Sequence, residues 1–244
     1  MEALIEQCRA EGIFVISVDT KKKELIGRFA SPGTIWCKKP IKVNDHDFPS
    51  YARFKAVPYG IFDLLNNRGT VGVGDSSDTP EFAVDCIVHW FEHGGRHLYP
   101  HAKRLVILAD CGGSNNYRAR AWKYLLQTKL CDPYQLPITV AHYPSGASKW
   151  NPIEHRLFGP VTINISGRPL DTEETFMNYI STTTNQSGLC VTAVRVTKQY
   201  QKGMEITVEQ MATINLTHNK INPKWNYDIQ PRESLDSAEL PTDP

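Results

Sequence analysis

The amino-acid sequence predicts an α/β fold, a mixed central sheet with helices on both faces. Residues 13–18 (IFVISV) and 105–109 (LVILA) are uninterrupted apolar runs of strand length, and each ends at an aspartate, Asp19 and Asp110. Segments with helical spacing lie between and beyond them. The order, strands first and then helix–strand–helix–strand–helix, is one that buries a sheet between helical layers.

Taken from the start, residues 1–12 are polar and charged and read as an N-terminal extension without the apolar stretch of a secretory signal. Residues 24–29 (ELIGRF) are expected to return as the hairpin partner of the first strand, with 20–23 as the turn. The segment 31–56 carries Pro32, Gly33, Pro40 and Pro49 and reads as an irregular insertion. Residues 57–63 and 70–73 are further strands, divided by Asn66, Asn67, Arg68 and Gly69. The next helix takes Asp78 or Thr79 as its cap, Pro80 in its first turn and Glu81 near its positive end, and Gly94 and Gly95 stop it. Residues 117–130 form a helix with Trp122, Leu125 and Leu126 inward, and 138–141 a short strand. Residues 150–158 (WNPIEHRLF) open a helix that carries Glu154. Later, 173–181 read as a helix and 191–197 and 205–208 as strands. From Asp228 the chain has few apolar groups and Pro231, Pro241 and Pro244, so 229–244 is expected to be a disordered or loosely docked tail. The domain itself occupies 13–228.

Composition narrows the class. Of 244 residues, 41% are hydrophobic and 22% charged, as in ordinary soluble globular proteins. No apolar run approaches the roughly 18 residues of a membrane span. The six cysteines contain no C-x-x-C pair and read as reduced thiols of a cytoplasmic protein. A net charge of +1 conceals two basic zones, with nine Lys or Arg against three acids over 20–60 and seven against two over 116–168. Such zones in a neutral chain fit contact with a polyanion.

The chemistry-bearing candidates are the carboxylates. Ligands of α/β sheets gather where strands terminate, and Asp19, Asp110 and a helix-borne Glu154 could converge there. Three carboxylates that close repel unless a cation neutralises them, and hard oxygen donors suit magnesium or manganese. Two such ions, about 3.5–4 Å apart, can clamp the attacking and leaving oxygens of phosphoryl transfer. The bland reading makes the aspartates turn caps and Glu154 a helix-dipole acid. Asp110 is the better candidate because the small residues Cys111, Gly112, Gly113 and Ser114 follow it. Asp75 and Asp78 read as caps. His89, His93, His97 and His101 recur every four residues, but Gly94, Gly95 and Pro100 interrupt them and the zinc reading is set aside.

Five motifs carry a family resemblance: SVDTKKKE (17–24), LADCGGSN (108–115), YPSGASKWNPIEHRL (143–157), GRPL (167–170) and WNY (225–227). Together they resemble bacterial insertion-sequence DDE transposases of the Azo type, distant relatives of the mariner group, over about 12–229. The resemblance implies an RNase H-like sheet and a catalytic triad on Asp19, Asp110 and Glu154 that holds two Mg2+ or Mn2+ ions. It implies metal-dependent cleavage of DNA strands and strand transfer. Around the triad, Lys21, Lys22, Lys23, Lys149 and Arg156 are expected on DNA phosphates, and Trp150 in packing or base stacking. Asn151 is expected to cap the helix and aim Glu154, with Asn115 and His155 in support. The implied partner is double-stranded DNA, both transposon ends and target, bound by a homodimer in the bacterial cytoplasm and nucleoid, away from membranes. The family usually begins with a helix-turn-helix region. Here the first catalytic strand comes almost at once, so a truncated catalytic domain is expected. Two other readings stay open: a non-catalytic regulator that binds DNA or a transposase, and another RNase H-like nuclease.

Overall fold

The computed structural model describes residues 2–144 and 146–233. Among them, α1 (Glu2–Glu11) leads through Gly12 into β1 (Ile13–Thr20), followed by β2 (Glu24–Ile26), β3 (Phe54–Asp63) and β4 (Arg68–Gly74). Then come α2 (Pro80–Trp90), α3 (Arg96–Leu98), β5 (Arg104–Ala109), α4 (Arg120–Leu126), β6 (Ile138–His142), α5 (Gly159–Ile165) and α6 (Glu173–Ser181). The chain continues through β7 (Cys190–Arg195), α7 (Val208–Ala212), β8 (Leu216–His218) and β9 (Asn226–Ile229).

The strands form one sheet in the order β7-β4-β3-β1-β5-β6-β9-β8, with β2 added on β3. β1 lies antiparallel to β3 and parallel to β5, and β5 lies parallel to β6. This is the mixed sheet of an RNase H-like fold, and helices cover both faces. Alternation along β1 divides the core. Phe14, Ile16 and Val18 pack with Phe82, Ile87 and Trp90 of α2 and with Trp122 and Leu126 of α4. The opposite face packs Phe62, Val71 and Val73 against Leu157, Phe158, Val161, Phe176 and Ile180. Val15, Ser17 and Asp19 alternate toward that second face, the one that carries Glu154.

Several local expectations are corrected. β2 does not fold back on β1. Thr20 stands opposite Tyr59 and Glu24 opposite Ala56, both on β3, so β2 prolongs β1 along the same partner. Four steps on one strand meet three on the other, which makes 21–23 a bulge rather than a turn. Gly94 and Gly95 do not stop α2, because a wide π turn over Phe91–Gly95 carries it on into α3. A Cβ on Gly95 would lie 3.0–3.1 Å from the rings of Trp90 and Phe91, so this glycine permits close packing. The helix expected over 117–130 begins at Arg120 and ends in a second π turn, Gln127–Cys131.

The strand expected at 205–208 is irregular chain that leads through the cap Thr207 into α7 at Val208. Thr207 accepts from the Gln210 N–H while the Gln210 side chain accepts from the Thr207 N–H, a capping box that outweighs the β-branched run before it. The segment from Asp228 is docked. Asp228 pairs with Arg104 at 2.9 Å, Ile229 is fully buried, and Arg232 pairs with Asp132 at 2.6 Å. The remainder of the expected tail, 234–244, lies outside the described residues, as does Ser145.

One glycine sets the spacing between the sheet and the Glu154 helix. Gly60 faces Asp19 across the β1–β3 pair, and a Cβ there would come within 2.5 Å of the Phe158 ring and 2.9 Å of Ile153. Both neighbours are buried and cannot swing into solvent. Gly60→Ala should therefore destabilise the domain by about 1–3 kcal/mol, read as a lower melting temperature with the fold retained. An unchanged melting temperature would show that the helix is not held against the sheet at this point.

Candidate active site

Val18 lies opposite Ala109 in the parallel β1–β5 pair, so Asp19 and Asp110 follow at the same edge of the sheet. Glu154 arrives from the helix packed under Gly60. The shifted acidities of all three trace a shared electrostatic environment. The carboxyl of Asp19 is pushed up to about 8, first by burial and then by Asp110, with Glu154 and Asp78 adding to it and the Thr20 N–H opposing. Burial also raises Asp110, against hydrogen bonds from the Gly112 N–H and the Asn115 side chain. Glu154 is raised by burial and by Asp110, while His155 and Lys21 pull it back. One Asp110 oxygen, Oδ1, is buried with no hydrogen-bond partner. Among the described residues, no three His, Cys, Asp or Glu side chains are already gathered into a cation cage.

A buried polar frame positions these groups. Asn151 is fully buried, takes the Ser17 hydroxyl on its Oδ1 and reaches Asp19 Oδ2 from its Nδ2 at 3.4 Å. Its side chain thus serves Asp19 and does not cap the Glu154 helix; only its backbone carbonyl accepts from the Glu154 N–H, at 3.1 Å. Asn115, also buried, accepts from the Tyr59 hydroxyl at 2.8 Å and donates to the Val18 carbonyl at 3.4 Å, tying the Asp110 loop to β1. The cap of α2 is Thr79, whose hydroxyl accepts from the Phe82 N–H. Asp78 accepts instead from the Thr20 hydroxyl at 3.1 Å and acts electrostatically on both aspartates. It is a fourth acid at the site, and its position just before a Thr-Pro helix start made it look like a cap.

His142 was not singled out by its sequence context. Its Nδ1 meets the Asp110 carbonyl at 2.8 Å and its Nε2 meets the Tyr227 hydroxyl at 3.3 Å. Tyr227 in turn accepts from the Trp122 indole N–H at 3.0 Å. Burial holds the imidazole down to about 4, so it is neutral at pH 7. One direction satisfies every group: Trp122 donates to Tyr227, Tyr227 to Nε2, and Nδ1–H to Asp110. The last residue of the WNY motif is thereby a support for the Asp110 backbone.

The basic candidates divide. Lys21 is buried in an ion pair with Glu24 (3.1 Å), whose other oxygen takes the Ser31 hydroxyl (3.3 Å). Lys22 is exposed and Lys23 half-buried. Lys21, Lys22, Glu24, Ser31, Glu154 and Thr162 border one cleft of about 510 Å³. Trp150 is 69% exposed, with the Lys149 ammonium 5.3 Å from its ring centre, so it does not pack in the core. The exposed His155 meets the Lys149 carbonyl at 2.6 Å. Arg156 lies elsewhere: its guanidinium covers Phe62 at 4.7 Å and donates to Asn67 in the β3–β4 turn, toward the end of β1 away from Asp19.

The raised pKa of Asp19 has a consequence for stability. Between about 4 and about 8 the folded protein holds a proton on Asp19 that the unfolded chain releases, so stability falls as pH rises through that window. The slope is at most about 1.4 kcal/mol per pH unit for one proton. In a chelator-containing buffer, Asp19→Asn should melt higher than the native chain at pH 8 and close to it at pH 4. Equal melting temperatures at both values would rule out a buried, protonated Asp19.

A family model described as the Rhodopirellula transposase DDE domain matches residues 1–231. No curated protein sequence matches. Similar solved structures include a Mos1 transposase paired-end complex with left transposon end, 13% identical with a TM-score of 0.47, the match covering 73% of this chain and 50% of that one. A Mos1 mariner paired-end complex with Mn is 13% identical, with a TM-score of 0.46 over 73% and 51%. A pre-cleavage Mos1 transpososome is 11% identical, with a TM-score of 0.44 over 73% and 51%. The chain spans about half the length of these Mos1 chains. No helix among the described residues is long and apolar enough to cross a membrane. The family match takes in every strand and helix described above, and the chain belongs to the Rhodopirellula transposase DDE domain family.

Proposed function

We propose that this domain cleaves DNA strands and joins them to a target, with Asp19, Asp110 and Glu154 holding two divalent ions, magnesium or manganese. The observation that carries the reading is the buried Asp110 oxygen without a partner, next to an aspartate that holds its proton up to about 8. An unsatisfied buried acceptor costs about 1–3 kcal/mol, and a hard cation removes both that cost and the repulsion between acids. Ion binding has to draw the carboxylates together, since no cage is preformed among the described residues. When bound, the ions supply Lewis-acid charge for in-line displacement at phosphorus.

The chain's own residues do the positioning. Asn151 and the Thr20 N–H fix the two oxygens of Asp19. Gly112 and Asn115 hold Asp110, and His142 holds its backbone. Asp78 adds negative charge that favours the cation-loaded state. Lys22, Lys23 and Lys149 take backbone phosphates, and exposed Trp150 offers a face for a base. Lys21 acts beside Glu154, and Arg156, engaged with Phe62, is the least available of the basic set. The substrates in this reading are double-stranded transposon ends and a target duplex, handled by a homodimer in the bacterial cytoplasm and nucleoid.

Two measurements test it. Calorimetric titration with Mn2+ should give binding to the native chain that disappears in Asp110→Ala. Manganese-dependent nicking of supercoiled DNA should fall at least about 10²-fold in the same variant, as when one transition-state-stabilising group is removed. Undiminished nicking by Asp110→Ala would overturn the reading.

A further inference from the structure

We infer that Tyr117, Arg118 and Lys224 form a second grip for the DNA backbone, on the β6 side of the site, across the two aspartates from Lys22. This rests on the reading of the domain as one that acts on DNA. The Arg118 guanidinium lies 5.2 Å from the centre of the Tyr117 ring, and its Nε donates to the Tyr117 hydroxyl at 2.8 Å. The Lys224 ammonium lies 5.5 Å from the same ring and 5.7 Å from that of Trp225. Two cations thus share one phenol, and among the described residues neither forms an ion pair with a carboxylate.

The sequence fixes both cations in place. Asn116 opens a turn in which its side chain accepts from the Arg118 N–H and its carbonyl accepts from the Ala119 N–H, each at 2.9 Å. Asn222, at a φ of 50°, and Pro223 turn the chain so that Lys224 and Trp225 lie against the end of β6, where the His142 N–H donates to the Trp225 carbonyl at 3.1 Å. The cluster is next to the reacting centre. Cys111 follows Asp110 directly, its thiol donates to the Tyr143 carbonyl, and both Arg118 and Lys224 act on it electrostatically.

An aromatic ring holds cations in position without neutralising them. Two positive charges ordered at one ring, without a carboxylate, form a receptor for an anion. The rings of Tyr117 and Trp225 that carry them add apolar edges, which suit a sugar more than an acidic side chain. The phosphodiester backbone of a DNA strand passing Asp110 supplies both features.

Fluorescence anisotropy of a labelled duplex, titrated with protein at several salt concentrations without divalent ions, tests this directly. Each phosphate contact contributes about 0.9 to the slope of log K against log salt. The double variant Arg118→Ala/Lys224→Ala should flatten the slope by nearly two. Lys103→Ala, which removes one positive charge at the opposite end of β5, should leave it unaltered. Tyr117→Leu, which keeps both charges but removes their support, should weaken binding with a smaller change in slope. An unchanged slope in the double variant overturns the grip, as does a native chain that binds no duplex. Capture of polyglutamate in place of DNA also overturns it, since the surface would then serve an acidic protein. Manganese-dependent nicking of the same preparations separates this inference from the proposed function. Nicking with an unaltered slope removes the grip alone, whereas the expected slope change without any nicking removes the enzymatic reading alone.

Discussion

β1 and β5 run side by side and bring two aspartates to the same poorly solvated edge, where neither can readily be charged while the other is. That conflict organises much of the surrounding structure. Asn151, Asn115, Gly112 and Thr20 are placed to hold carboxylate oxygens or their backbones, and His142 is kept neutral by burial while it braces the Asp110 carbonyl. Yet one oxygen of Asp110 remains without a donor. A purely structural site of this burial would normally satisfy that atom, and the unmet acceptor is what the proposed cation would satisfy.

The two halves of the chain contribute to this edge in different ways. The strands give fixed direction, because backbone pairing sets where Asp19 and Asp110 emerge. The helix that carries Glu154 is placed by packing alone, seated on the sheet through Phe158 and Ile153 over the bare backbone of Gly60. The site thus joins two acids set by backbone pairing to a third set by side-chain packing. The basic residues follow the same division, with Lys21 locked into a buried pair and Lys22, Lys149, Arg118 and Lys224 left at the surface.

The apolar runs ending at Asp19 and Asp110 were legible because strands buried on both faces need continuous hydrophobic sequence, and runs this short and rich in Val and Ile favour a strand over a buried helix. The Glu154 helix and its Pro152 start were legible for similar local reasons. What could not be read was pairing. The bulge at 21–23 and a hairpin turn have the same short, polar composition, so the continuation of β1 into β2 was hidden. The burial of Lys21 was hidden with it, since lysine is rarely enclosed and Glu24 alone did not announce a partner. Asn151 and Asp78 were misread because both sit where a helix cap would, and only the fold shows that their side chains turn to Ser17, Asp19 and Thr20 instead. β9 was missed because NYDI is too short and polar to stand out, although Tyr227 and Ile229 fill the core.

The dependence of Asp110 on His142, and of His142 on Tyr227, gives the domain a built-in order of assembly. Tyr227 is synthesised roughly 120 residues after Asp110, several seconds later at about 5–20 residues per second. Until β9 emerges and pairs with β6, the outer edge of the sheet is open and the imidazole lacks its second anchor. A nascent chain therefore carries its three acids well before it can hold them in working geometry. For a domain whose proposed chemistry is the cutting of DNA, that delay keeps the site from being completed before β9 has been made and has paired.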